Sequence, residues 1–142
     1  MEKIVIISLI LLTFVLCTGV GFAEDLDEPI GDDEVTDYVD VDFVTPRLAL
    51  SGSNAVCKVT VDVKSSSNAN KVVMTVNYIK NGTGSVGTKT TTVYRSNNSF
   101  TGQTSKSLTS HGTYHAKVNI KVYHDSQLIE SFNVLTSNIS YW

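Results

Sequence analysis

Three histidines, two cysteines, of which Cys57 shares the histidines' region, and a block of carboxylates are the side chains in this chain whose types could hold a metal or activate a substrate. His111 and His115 are four residues apart, a spacing that would bring two ligands together on a helix. Here Gly112 separates them at the start of an alternating apolar and polar run. Along a strand, four residues separate side chains by about 13 Å. His124 closes the same run, and neither a second cysteine nor an acidic cluster accompanies the three rings, so no metal site is expected there.

The carboxylates are concentrated elsewhere. Glu24 to Asp42 hold ten acids and no Lys or Arg. They are hard donors suited to calcium, but the tract lacks the Asp-x-Asp-x-Asp-Gly spacing that pre-forms a cage. It reads as a flexible, solvated acidic segment over 24–42. Two other uses stay open: weak calcium binding, and masking of a basic face. Phe43 to Trp142 carry ten basic residues against Asp62, Asp125 and Glu130, a net charge of +7. A tethered polyanion would sit beside that domain at high effective concentration. Val39, Val41 and Phe43 alternate with Asp40 and Asp42, so the end of the tract could pair as an opening strand. Arg47, near the boundary, is a weak candidate for proteolytic release.

Catalysis would require a nucleophile with a base, paired carboxylates or a metal. The basic region offers three scattered acids, and its 28 Ser and Thr residues suit solvated sheet faces rather than marking one nucleophile. No catalytic, cofactor-binding or metal residue is assigned, and no enzyme activity or cofactor is expected. Lys58, Lys64, Lys117 and Lys121 fall on outward faces of two strands that would belong to opposite sheets. That scatter argues against a nucleic-acid groove.

The N-terminus has the layout of an export signal: Lys3, an uncharged apolar run from Ile4 to Leu16, and Gly21-Phe22-Ala23, with cleavage expected after Ala23. The apolar run is short for a membrane span of about 20 residues, and Val15 and Leu16 before Cys17 do not suit lipid attachment. A secreted protein without a stable membrane anchor is expected. Cleavage would remove Cys17 and leave Cys57 as the sole thiol, so no internal disulfide could form. Cys57 reads as a buried small hydrophobe. Asn81, Asn97 and Asn138 each begin an Asn-x-Ser/Thr triplet, relevant to a glycosylating export route.

The elements that must position these groups are strands. Ala55, Cys57, Val59, Val61 and Val63 alternate with Lys58, Thr60, Asp62 and Lys64, the period of a half-buried strand. Ser65 to Asn68 break it, and Val72, Met74, Val76 and Tyr78 form the next inward face, giving two antiparallel strands. Asn81-Gly82-Thr83-Gly84 turns the chain. Further strands are predicted at about Val86–Tyr94, Ser99–Leu108, Tyr114–Val122 and Leu128–Leu135, with Asn138–Trp142 as an edge or tail. Short strands separated by Gly, Ser and Asn predict an all-β, two-sheet antiparallel sandwich of about seven strands over 43–142, rather than a closed barrel.

Leu108 to Ala116 resembles the corner leading into the sixth strand of immunoglobulin-like domains. The resemblance implies that the Tyr114 hydroxyl bonds back to the upstream backbone and that Ala116 stands where the second inter-sheet cysteine would be. Cys57, 59 residues earlier, would occupy the first cysteine position. The missing partner forbids the bridge, so a fibronectin-III-like or other bridge-free sandwich describes the chain better. Over about Thr45 to Phe132 it also resembles small exported sandwich proteins of Gram-positive gut bacteria, through Thr45-Pro46-Arg47, Ala55-Val56-Cys57, Lys71 to Val76 and Gly112-Thr113-Tyr114. That resemblance implies a fold and an extracellular location, and no activity.

The function expected is recognition or adhesion at the bacterial surface or host interface, with a protein or glycan partner outside the cell. Candidate contact residues are Asn81, Thr83, Tyr94, Asn97, Asn98 and Tyr123, on the loops Asn81 to Gly87 and Ser96 to Ser99 and on exposed aromatics. A carbohydrate- or anionic-polymer-binding module and a secreted peptidase inhibitor are the alternatives.

Overall fold

β-branched and aromatic residues at every second position drive this chain into strands whose alternate faces are apolar. In the computed structural model, which describes residues 40–142, these are β1 (Val41–Ser51), β2 (Asn54–Val63), β3 (Lys71–Lys80), β4 (Gly84–Tyr94), β5 (Ser99–Ser107), β6 (Gly112–His124), β7 (Gln127–Leu135) and the short β8 (Ile139–Tyr141). They form two antiparallel sheets, β1-β2-β5 and β4-β3-β6-β7, with β8 also pairing β6. The described residues contain no helix and no disulfide. Because the fourth strand pairs the third rather than the fifth, the arrangement is that of a fibronectin-III-like sandwich instead of the antibody constant type. The expected all-β sandwich is therefore the fold observed.

The export signal and most of the acidic tract fall outside the described residues. At the tract's end, β1 begins at Val41, two residues ahead of the expected domain boundary. The anticipated opening strand forms, but its side chains do not alternate as read. A register shift between Val41 and Phe43 leaves Val41 buried and turns Phe43 out, 71% exposed. Arg47 is not at a loop-like boundary; it lies within β1, paired opposite Lys58. A strand held in a ladder is a poor proteolytic site. β2 and β3 do run antiparallel, yet they are not paired with each other: each enters a different sheet.

The core lies between the sheets. Ala55, Cys57, Val59, Val61 and Val63 from β2 face Val72, Met74, Val76 and Tyr78 from β3 and Ala116, Val118, Ile120 and Val122 from β6. Fully burying side chains of this size contributes about 1.5–3 kcal/mol each. Phe100 and Gly102 complete the inner face of β5. A Cβ on Gly102 would come within 2.6 Å of Met74 Sδ, so this glycine lets the sheets approach.

The predicted tyrosine corner is present. Tyr114 is buried, and its hydroxyl donates to the Ser110 carbonyl. Cys57 and Ala116 are both fully buried, on β2 and β6 of opposite sheets. Tyr78, cross-strand neighbour of Ala116, sends its hydroxyl to Thr104, itself the neighbour of Cys57 on β5. Tyr78 thus takes the place on the third strand where antibody domains put a Trp against their disulfide.

Candidate functional site

The two ends of the sandwich carry different loops. One end gathers Ser51–Asn54, Asn81–Thr83 and the Leu108–His111 corner; the other gathers residues 64–70, the Arg95–Asn98 turn and the Asp125–Ser126 turn. The six sequence-predicted contact residues consequently do not form one site. Asn81 and Thr83 stand at the first end, and Tyr94, Asn97, Asn98 and Tyr123 at the second.

At the first end Asn81 is already engaged. Its side-chain oxygen lies 2.8 Å from Nδ1 of His115, and its backbone N–H donates to Thr113. The other histidines also have separate partners. His111 packs edge-on against Tyr141, and Nδ1 of His124 donates to the Asn68 carbonyl. Among the described residues no group of three metal-ligating side chains converges.

Asn97 and Asn98 serve the fold. Arg95 extends its guanidinium between two loops, donating to the Ser67 carbonyl at 2.6 Å, the Ala69 carbonyl at 3.2 Å, the Asn97 carbonyl at 2.7 Å and Oδ1 of Asn98 at 2.7 Å. The planar fork suits this multiple capture in a way an ammonium does not. Asn97 adopts φ 56°, a left-handed conformation that Asn tolerates better than most residues.

Tyr94 and Tyr123 are brought together. Lys71 on β3 is paired with Tyr94 on β4 and with Tyr123 on β6, and Tyr123 is paired in turn with Leu128 on β7. Directly paired residues point to the same face, so Tyr94, Lys71, Tyr123 and Leu128 form one row across the outer surface of the larger, five-stranded sheet. Strands about 4.8 Å apart place the two phenol-bearing positions about 10 Å apart. Tyr94 is 71% exposed, Leu128 is exposed, and the Lys71 ammonium sits 4.8 Å from the Tyr123 ring centroid. A cation at that range is attracted to the ring face.

The row rests on a stiff base. Asn70 and Asp125 exchange two bonds, Nδ2 to Oδ1 at 2.7 Å and Asp125 N–H to Oδ1 at 2.9 Å. Asn70 also donates its N–H to Tyr123 and accepts from the Arg95 N–H. The next row on this face is Thr92, Val73, Lys121 and Ser131, and after it Thr90, Thr75, Asn119 and Asn133 form a parallel row in which Thr75 bonds Thr90 and Asn119 bonds Asn133. The arrangement combines aromatic faces, lysine ammonium groups and hydroxyl or amide groups on the outer face of the sheet.

Lys71 and Leu128 were missed as contact residues because their place depends on which strands are neighbours. The aromatic pair itself was visible in the sequence.

No protein-family model and no curated protein matches the chain. Among solved structures, the chain is similar to part of a β-glucuronidase from glycoside hydrolase family 2, at 12% identity and TM-score 0.42, over 65% of this chain and 11% of that one. It is similar to part of a family 2 glycosyl hydrolase from Bacteroides cellulosilyticus at 14% identity and TM-score 0.39, over 68% and 13%. It is also similar to the ApaA protein from Bordetella pertussis at 16% identity and TM-score 0.28, over 70% and 92%. The chain thus spans a small fraction of the glycoside hydrolases it resembles.

Proposed function

We propose that this chain is an exported, non-enzymatic recognition module that binds a glycan through the outer face of the five-stranded sheet, at the row Tyr94, Lys71, Tyr123 and Leu128. The observation that carries this reading is the pairing register that sets two tyrosines on either side of one lysine on the outer face of the sheet. Phenol rings offer apolar faces to the C–H faces of sugar rings, while Lys71 and the neighbouring Thr and Asn side chains offer hydrogen bonds to hydroxyls. The layout of residues 1–23 supports export. The scattering of Asp62, Asp125 and Glu130 over separate strands and turns supports a binding role over a hydrolytic one.

Titration of the protein with a panel of neutral polysaccharides, using affinity electrophoresis or calorimetry, tests the proposal. Tyr94→Ala and Tyr123→Ala are each expected to weaken binding about tenfold, equivalent to about 1.4 kcal/mol. Asn81→Ala, at the other end, should leave it unchanged. Binding that survives both tyrosine changes and is lost with Asn81→Ala would move the site to the loops of the first end. Absence of binding to every polysaccharide would overturn the glycan assignment.

A further inference from the structure

The outer face of the three-stranded sheet carries a second, unrelated arrangement. The β1–β2 register places Arg47 directly opposite Lys58 and Thr45 directly opposite Thr60. Directly opposed side chains on an antiparallel pair have Cβ atoms about 5 Å apart, and like charges so placed repel. Lys58 is flanked on its other side by Gln103, so the row contains no carboxylate to neutralise either cation. On this face of β2 the acid is Asp62, four residues from Lys58 and about 13 Å along the strand.

A surface that sets two cations against each other across one rung is unfavourable when empty and favourable once an anion sits between them. The shape agrees. Thr45, Arg47, Lys58 and Thr60 line an open concavity of about 260 Å³ on this face. The Thr60 hydroxyl is held 3.2 Å from that of Thr101, which orders the hydroxyl side of the site. A guanidinium fork and an ammonium on one side, with hydroxyls on the other, are the donors that an oxyanion accepts from.

We propose that Arg47, Lys58, Thr45 and Thr60 form a binding site for a single oxyanion, a sulfate ester or a carboxylate, carried on a polysaccharide. The site is on the opposite sheet from the aromatic row and stands or falls separately from it. An open, exposed face suits a group presented along a polymer, and the net positive charge of residues 43–142 favours approach of a polyanion.

The test uses three probes on one backbone: dextran sulfate, carboxymethyl dextran and neutral dextran, titrated at low and raised NaCl. Arg47→Gln and Lys58→Gln are each expected to lower affinity for an anionic dextran about tenfold. Lys117→Gln and Lys121→Gln, outward cations of the other sheet, should change it less than about twofold. Lys58→Gln should also raise the melting temperature of the ligand-free protein more than Lys117→Gln does, because Lys58 faces a like charge across its rung while Lys117 is paired with Asn77 and Leu135. Tyr94→Ala should leave dextran sulfate binding intact. Preference for the sulfated or the carboxymethylated polymer identifies the group bound.

An equal loss in all four charge variants would reduce the effect to diffuse attraction and overturn the site. Another outcome also overturns it: neither the unaltered protein nor a variant with Asn and Gln in place of the acids from Glu24 to Asp37 binds either anionic dextran.

Discussion

The hydroxyl oxygens of Tyr78 and Thr104 lie 2.8 Å apart and join β3 of one sheet to β5 of the other through the middle of the sandwich. Tyr78→Phe removes this tie while keeping the ring, and an expected loss of about 0.5–1.5 kcal/mol would appear in urea unfolding. Tyr78→Ala should cost about 3–5 kcal/mol because it also empties the volume the ring fills. In a double-mutant cycle, Thr104→Val combined with Tyr78→Phe should be less damaging than the sum of the two. Strict additivity would mean the two hydroxyls do not depend on each other.

Cys57 on β2 and Ala116 on β6 are both fully buried and belong to opposite sheets. Ala116→Cys is expected to oxidise spontaneously with Cys57, leaving residues 40–142 with no titratable thiol and giving a melting temperature that falls on reduction. Closing a loop of this length contributes about 4 kcal/mol in the chain-entropy account. Two free thiols after oxidation would show that the sheets are set too far apart or turned away from each other at this rung.

Burial pushes the Cys57 thiol up from its ordinary 9.0 to about 11. The folded state therefore keeps its proton where the unfolded chain releases it. The stabilisation is fully present below pH 9.0 and is lost as pH rises through about 11, amounting to about 2–3 kcal/mol at most. Unfolding free energies measured across this window should fall more steeply for the unaltered protein than for Cys57→Ala. Burial also raises the Tyr78 hydroxyl, in part opposed by its bond to Thr104 and reinforced by the charge of a deprotonated Cys57, so Cys57→Ala loses that reinforcement as well and the two effects act in the same direction. Parallel curves would mean that Cys57 is not shielded.

Arg95 ties the 64–70 loop to the turn after β4. Arg95→Ala should cost about 2–3 kcal/mol, since the carbonyls of Ser67 and Ala69 lose a charged donor. Arg95→Lys should recover only part of this, because one ammonium cannot span both loops. Hydrogen exchange should speed up at Ala69 to Lys71 in either variant. Unchanged protection there would remove the clamp from the explanation of why the aromatic row is rigid.

What the sequence made legible follows from burial on one side only. β2, β3 and β6 lie centrally, keep alternate residues fully inside, and so write their period into the chain. β1 does not. It is an edge strand whose fully buried positions are Val41 and Leu48, with Pro46 at a place where a missing N–H is tolerated. The bulge after Val41 then turns Phe43 outward, which no simple alternation anticipates. The same distinction governs the candidate sites. Tyr94 and Tyr123 are readable as exposed aromatics, but their grouping around Lys71 requires β3 to lie between β4 and β6. Likewise Arg47 and Lys58 are eleven residues apart and become opposed through the β1–β2 register.

Asp40 and Tyr141 mark opposite ends of the sandwich: Asp40 lies beside Glu130 and accepts from Lys64, while Tyr141 is paired with Gly112. Tension applied between these two points runs lengthwise through the molecule. It loads the ten-rung β1–β2 ladder in shear, with its hydrogen bonds sharing the pull, rather than peeling them one at a time. At the far end it meets the three paired positions of β8 and the reciprocal bonds between Thr136 and Ala116. Mechanical failure should therefore begin by stripping β8 from β6, while the ladder at the other terminus stays closed.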